Sequence, residues 1–103
     1  MLDLNYLCKM SYENAEKRAE HEPTIRVGVR DTLKHCAGEV VEATEAYERY
    51  IHAIDKTKEA FADELSDIIC CVLTICGKEN IDIELALTKC MEKNFRRGKR
   101  DES

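Results

Sequence analysis

The chain has 103 residues, with 21 acidic and 16 basic side chains, a net charge of −5, 44% apolar residues and 6% aromatics. That is one domain, 1–103, too apolar to be disordered and too poor in aromatics, Gly and Pro for a small β sandwich or barrel. Its acidic balance excludes a general nucleic-acid binder, because phosphate affinity comes mainly from Lys and Arg.

Four helices are expected. The first runs from about Leu4 to Glu20 and is broken by His21-Glu22-Pro23-Thr24, since Pro disfavours helix in the residue before it. The second runs from Thr24 or Ile25 to Ile54, on a stripe of Val29, Leu33, Cys36, Val40, Ala43 and Tyr47 spaced by three and four. Asp55 or Thr57 can cap the third, from Lys58 to Cys76. Phe61, Leu65, Ile68, Val72 and Ile75 form its main stripe, widened by Ile69, Leu73 and Cys76, so it should be the most buried. Gly77 is its expected stop. The fourth runs from Asp82, as cap, to Arg97, with Ile83, Leu87, Cys90 or Met91, and Phe95 inward and Gly98 as stop. Four helices with short connections predict an all-α, antiparallel four-helix bundle. A domain this small buries only about two thirds of its unfolded surface, so a second subunit would help it.

The longest apolar stretch, Ile68 to Cys76, is nine residues, far short of the roughly 20 that span a bilayer. No basic region followed by an apolar run opens the chain, so it reads as cytoplasmic. Six cysteines (Cys8, Cys36, Cys70, Cys71, Cys76 and Cys90) show no CxxC pair and no framework spacing. They read as reduced thiols, with Cys70, Cys76 and Cys90 in the core. His35 and Cys36 point about 100° apart on a helix, which excludes them as a catalytic pair.

The acids carry the strongest signal. From Glu39 to Asp67 there are nine acidic residues against three basic ones. Glu39 and Glu42 share one helix face at i, i+3, and Glu64 and Asp67 repeat that spacing on the next helix. If the two helices pack antiparallel, both pairs converge, and four carboxylates without a cation repel strongly. A hard divalent ion such as Mg²⁺ relieves this, because it takes oxygen ligands. The opposite charge is stored in Lys89, Lys93, Arg96, Arg97, Lys99 and Arg100, within a basic C-terminal tail over 96–103. An acidic ion site with a basic strip is what an enzyme acting on phosphate esters needs. The plainer reading is a solvated acidic face and a positive end suited to the helix dipole.

Three motifs in order, Glu39-Val40-Val41-Glu42-Ala43, Glu64-Leu65-Ser66-Asp67 and Lys93-Asn94-Phe95-Arg96-Arg97-Gly98, resemble the MazG-like family. Its members are all-α nucleoside triphosphate pyrophosphohydrolases related to the dimeric dUTPases. The 21 residues between Glu42 and Glu64 fit the family's gap, and the likeness covers about 25–98. The resemblance implies a four-helix bundle assembled as a dimer or a dimer of dimers. It implies Mg²⁺, or Mn²⁺ in its place, on Glu39, Glu42, Glu64 and Asp67, the same residues being catalytic. Lys93, Asn94 and Arg97 would contact the triphosphate or the sugar. The implied reaction is NTP or dNTP plus water to NMP and pyrophosphate, a housekeeping or pool-sanitising step, with Glu42 or Glu39 as base for the water. No membrane and no nucleic-acid polymer would be partners.

Two features depart from the family. Gly38 stands where many members carry another Glu, and there is no Trp to wall the base. Tyr6, Tyr12, Tyr47, Tyr50, Phe61 and Phe95 are the aromatic candidates instead. The rival from another class is a non-catalytic helical interaction module with a decayed nucleotide site. A di-iron carboxylate bundle needs Glu-x-x-His, and no His stands three residues after a Glu here.

Overall fold

A computed structural model of the chain describes residues 2–22, 28–52 and 57–102, with side chains as far as Lys99. The described residues are all-α, in four helices: α1 (Leu4–His21), α2 (Val29–Ile51), α3 (Lys58–Glu79) and α4 (Ile83–Glu102). Side-chain oxygens start three of them. Asp3 accepts from the Tyr6 N–H at 3.1 Å, Thr57 from Ala60 at 3.2 Å and Asp82 from Leu85 at 3.1 Å. Pro23, Ile54 and Asp55 lie outside the described residues.

The helix bounds differ from expectation at glycines. α2 is described from Val29, behind an extended Gly28 (φ −69°, ψ 151°) that has no side chain to cap it; Thr24 and Ile25, the expected starts, lie outside the described residues. It closes at His52, whose N–H donates to the Glu48 carbonyl. α3 runs straight through Gly77 and stops at Asn80, which takes the left-handed conformation with φ 54°. Gly77 is instead where α1 and α3 come closest. A Cβ there would collide with the Cys8 carbonyl and lie 2.8 Å from the Tyr12 Cβ. Gly77→Ala therefore forces the helices apart, although Ala is the better helix former. We expect a loss of about 1–3 kcal/mol in thermal unfolding, whereas Gly98→Ala, in open space, should be neutral or stabilising.

α3 is the central helix, packed on α1 along one side and on α2 along the other. Cys8, Leu73 and Cys76 form the α1–α3 core, with Leu7 and Ile83 against it. Small side chains, Ala43 and Ala46, are buried on α2, and Cys71 on α3. Tyr50 of α2 meets Phe61 of α3, and Glu39 of α2 meets Glu64 and Asp67 of α3. The expected core thiols are redistributed. Cys8, Cys71 and Cys76 are buried, Cys36 is half-buried, and Cys70 and Cys90 are exposed. Burial pushes the Cys71 thiol up to about 11, with Cys36 beside it, which keeps it unreactive.

α4 departs most from the expected bundle. Its start is tied to α1 through Asn5, whose Oδ1 accepts from the Ile83 N–H at 3.0 Å and whose Nδ2 donates to Asp82 at 3.0 Å. Beyond that latch it leaves the other helices. Of its four expected inward positions only Ile83 is half-buried; Leu87, Cys90, Met91 (69% exposed) and Phe95 (65%) face outward. On α3 the Leu65, Ile69 and Val72 stripe is likewise exposed, and on α2 Leu33, Val40 and Tyr47 are. Within one chain the packed unit is thus three helices. The radius of gyration is 16.5 Å, against about 13 Å for a compact chain of this length. The accessible surface is 8091 Å², against roughly 5900 Å² for a compact monomer of this mass. No described helix is long and apolar enough to cross a membrane.

Candidate functional site

The packing of α2 on α3 decides which acids meet. Ala43 and Ala46 let the helices approach, and one turn before them on α2 stands Glu39. It is buried, a rare position for a carboxylate without a cationic partner. Across from it α3 presents Glu64, half-buried, and Asp67, exposed. One carboxylate oxygen from each of Glu39, Glu64 and Asp67 lies within 4.8 Å of the others. Glu42, the fourth expected acid, falls outside that group. Its charge is nonetheless near enough to make the Glu64 carboxyl hold its proton more tightly.

Two of these oxygens, Glu39 Oε2 and Glu64 Oε2, are enclosed and have no hydrogen-bond partner. A buried acceptor without a donor costs free energy, and a carboxylate more than most. Both carboxyls respond by holding their protons more tightly. Burial first, then the charges of Glu42 and Asp67, push Glu39 above the ordinary carboxylate range, opposed only by His35. Burial, Glu42 and Asp67 do the same to Glu64. Three carboxylates gathered within 4.8 Å, two of them with an orphaned oxygen, suit a hard divalent cation, which accepts several oxygens at once.

Donors around the cluster are scarce. Among the described residues no Lys or Arg pairs with any carboxylate. Among the described residues the one basic side chain within ion-pair distance of the four acids is His35, whose Nε2 lies 3.0 Å from Glu39 Oε1. Nothing in the spacing marks this contact out, because His52 stands in the same i, i+4 relation to Glu48.

The basic strip is not brought to the acids. Lys93, Arg96, Arg97 and Lys99 lie exposed together along α4 itself. Asn94 is exposed beside Cys90, and Lys99 lies over the Phe95 ring, 5.2 Å from its centre. Lys93 is ten residues, about 15 Å of helix, beyond the Asn5 latch. Of the six aromatic candidates, three gather at the paired ends of α2 and α3. Tyr47 and Phe61 have ring centres 5.3 Å apart, and Tyr50 stacks on Phe61 at 17° and 6.3 Å. Phe61 is one turn from Glu64 on α3. Tyr12 instead carries Lys78 over its ring, on the far side of α3.

The fold and site together define an all-α protein whose helical hairpin gathers unneutralised carboxylates of the kind that receive hard cations. The family model for the MazG nucleotide pyrophosphohydrolase domain matches residues 29–100, most of the chain. The chain belongs to that family. No curated protein and no solved structure matches it.

Proposed function

We propose that this protein is a Mg²⁺-dependent nucleoside triphosphate pyrophosphohydrolase, converting an NTP or dNTP and water to NMP and pyrophosphate. The observation that carries this reading is the Glu39, Glu64 and Asp67 carboxylate group, in which Glu39 and Glu64 each keep one enclosed oxygen without a partner. These three residues hold the ion, with Glu42 beside them. Mg²⁺, or Mn²⁺ in its place, supplies charge neutralisation for the triphosphate and polarises the attacked phosphorus centre. Glu42 stands outside the three-oxygen group and is the free carboxylate, so it takes the proton from the attacking water. That water's oxygen bonds to the α-phosphorus, and the bond from that phosphorus to the α,β-bridging oxygen breaks. Pyrophosphate leaves with the bridging electrons. Tyr47, Tyr50 and Phe61, one turn from Glu64, offer the base an aromatic surface.

The triphosphate needs cations, and α4 carries them away from the acids of its own chain. We therefore assign Lys93, Asn94 and Arg97 to the site of a second copy, in a homodimer or dimer of dimers. Three features support this. The surface exceeds that of a compact monomer by roughly 2200 Å², the size of an obligate interface contribution. Apolar stripes on α2, α3 and α4 stand uncovered. An acidic hairpin and a basic helix are complementary in charge. A nucleotide-pool reaction and six free cysteines are consistent with a cytoplasmic protein.

The test is turnover of each NTP and dNTP with Mg²⁺ and with EDTA, reading pyrophosphate against orthophosphate. Pyrophosphate with NMP, lost in EDTA, is expected. Orthophosphate would mean attack at another phosphorus. No turnover together with no ion binding would leave the helical interaction module.

A further inference from the structure

We infer that His35 is a positioning residue for the ion site: it holds the Glu39 side chain in the rotamer that keeps its carboxylate beside Glu64 and Asp67. The inference rests on the reading of those acids as ion ligands. His35 Nε2 is 3.0 Å from Glu39 Oε1, while Glu39 Oε2 is enclosed and has no partner. The two oxygens of one carboxylate are thus divided, one occupied by a donor and the other kept free. Whether the imidazole is neutral with its proton on Nε2 or fully protonated, it donates the same bond.

The energetic reason is ordering. A free Glu loses side-chain entropy when it is immobilised. A ligand already anchored through its other oxygen has lost that freedom before the ion arrives, so more of the coordination energy appears as affinity. Surrounding like charges make the anchor more necessary, because Glu42, Asp67 and Glu64 all push the Glu39 carboxylate away.

The chain carries its own control. His52 and Glu48 have the same spacing on the same helix, at 3.4 Å. Both are widely exposed, at 64% and 59%, whereas Glu39 is 11% exposed under its histidine. The exposed pair is an ordinary surface contact of small weight in helix stability. The other fastens a buried ligand. Local sequence is alike in the two cases, and only the packing of α3 on α2 separates them.

The experiment measures Mn²⁺ affinity, by electron paramagnetic resonance and calorimetry, for the unaltered protein, His35→Ala, His35→Gln and His52→Ala. Removing an outer-shell partner of a metal ligand costs 10–100-fold in affinity or activity, so we expect His35→Ala to bind Mn²⁺ about tenfold more weakly. His35→Gln, which can donate to Glu39 from the same turn, should recover most of that loss. His52→Ala should match the unaltered protein, and metal-free melting should be alike in all four. Equal affinity in His35→Ala and the unaltered protein would overturn the inference alone. So would His35→Gln as weak as His35→Ala. An unaltered protein that binds no Mn²⁺ would overturn the ion site as well.

Discussion

Glu64→Gln should abolish Mg²⁺-dependent pyrophosphate release and, in the same protein, raise the melting temperature measured in EDTA. The two effects have one cause. Glu64 faces Glu42 and Asp67 with an enclosed, unpartnered oxygen, so its charge is unfavourable until a cation arrives. Gln keeps the shape and removes the charge, and its amide can donate to Glu42. A lost carboxylate ligand forfeits several kcal/mol of transition-state stabilisation, which is roughly a thousandfold in turnover. The pH dependence has a definite sign. Glu39 and Glu64 are raised above the ordinary carboxylate value of 4.5. Between that value and the raised ones the folded protein binds more protons than the unfolded chain, so stability falls as pH rises. The metal-free protein should melt higher at pH 5 than at pH 8, with a smaller difference in Glu64→Gln. Saturating Mg²⁺ should reverse the order by holding the carboxylates ionised. A Glu64→Gln variant that melts lower than the parent in EDTA would show that repulsion at the cluster is not what limits the metal-free fold.

Two inactive variants should become active on mixing. Glu64→Gln lacks the acidic half of the site, and Lys93→Ala with Arg97→Ala lacks the basic half. If α4 of one copy serves the acids of another, a mixed dimer contains one site with both halves intact. At equal concentrations half the dimers are mixed, so activity should recover to about a quarter of the unaltered level for a two-fold dimer. The structural basis is that α4 is attached near Asn5 and then diverges, leaving Lys93 and Arg97 exposed and unpaired with any acid among the described residues. Subunit exchange is followed in parallel by mass spectrometry of isotopically light and heavy chains. A mixture that exchanges freely yet stays inactive would place α4 in the site of its own chain.

Much of the fold could be read from local chemistry. Asp3, Thr57 and Asp82 accept the N–H bonds that cap-forming residues ordinarily accept. Four helices are present as three- and four-residue periodicity predicts, but α3 runs on past Gly77 and α4 past Gly98, the two expected stops. The carboxylate spacing was also local information: Glu39 with Glu42, and Glu64 with Asp67, had to share a helix face. Misreadings fell where a residue has two uses. Gly77 terminates many helices, but here the absence of a Cβ serves a helix crossing, and the stop is Asn80 three residues later. Cys70 and Cys90 sit in apolar runs yet are exposed, because a run does not say which residue of each turn faces inward.

From the chain alone follow the helices, their caps, the acid pairs and the thiol content, since each depends on neighbours within a turn or two. Tertiary packing was needed to show that Glu39 is the enclosed acid, that Glu42 stands beside the cluster rather than in it, and that His35 touches it while His52 touches only surface. It was needed as well for α4, whose apolar stripe is as regular as that of any packed helix. Periodicity marks a face for burial without naming what buries it. That depends on where neighbouring helices run, and a stripe on α4 reads the same whether its own chain or another covers it.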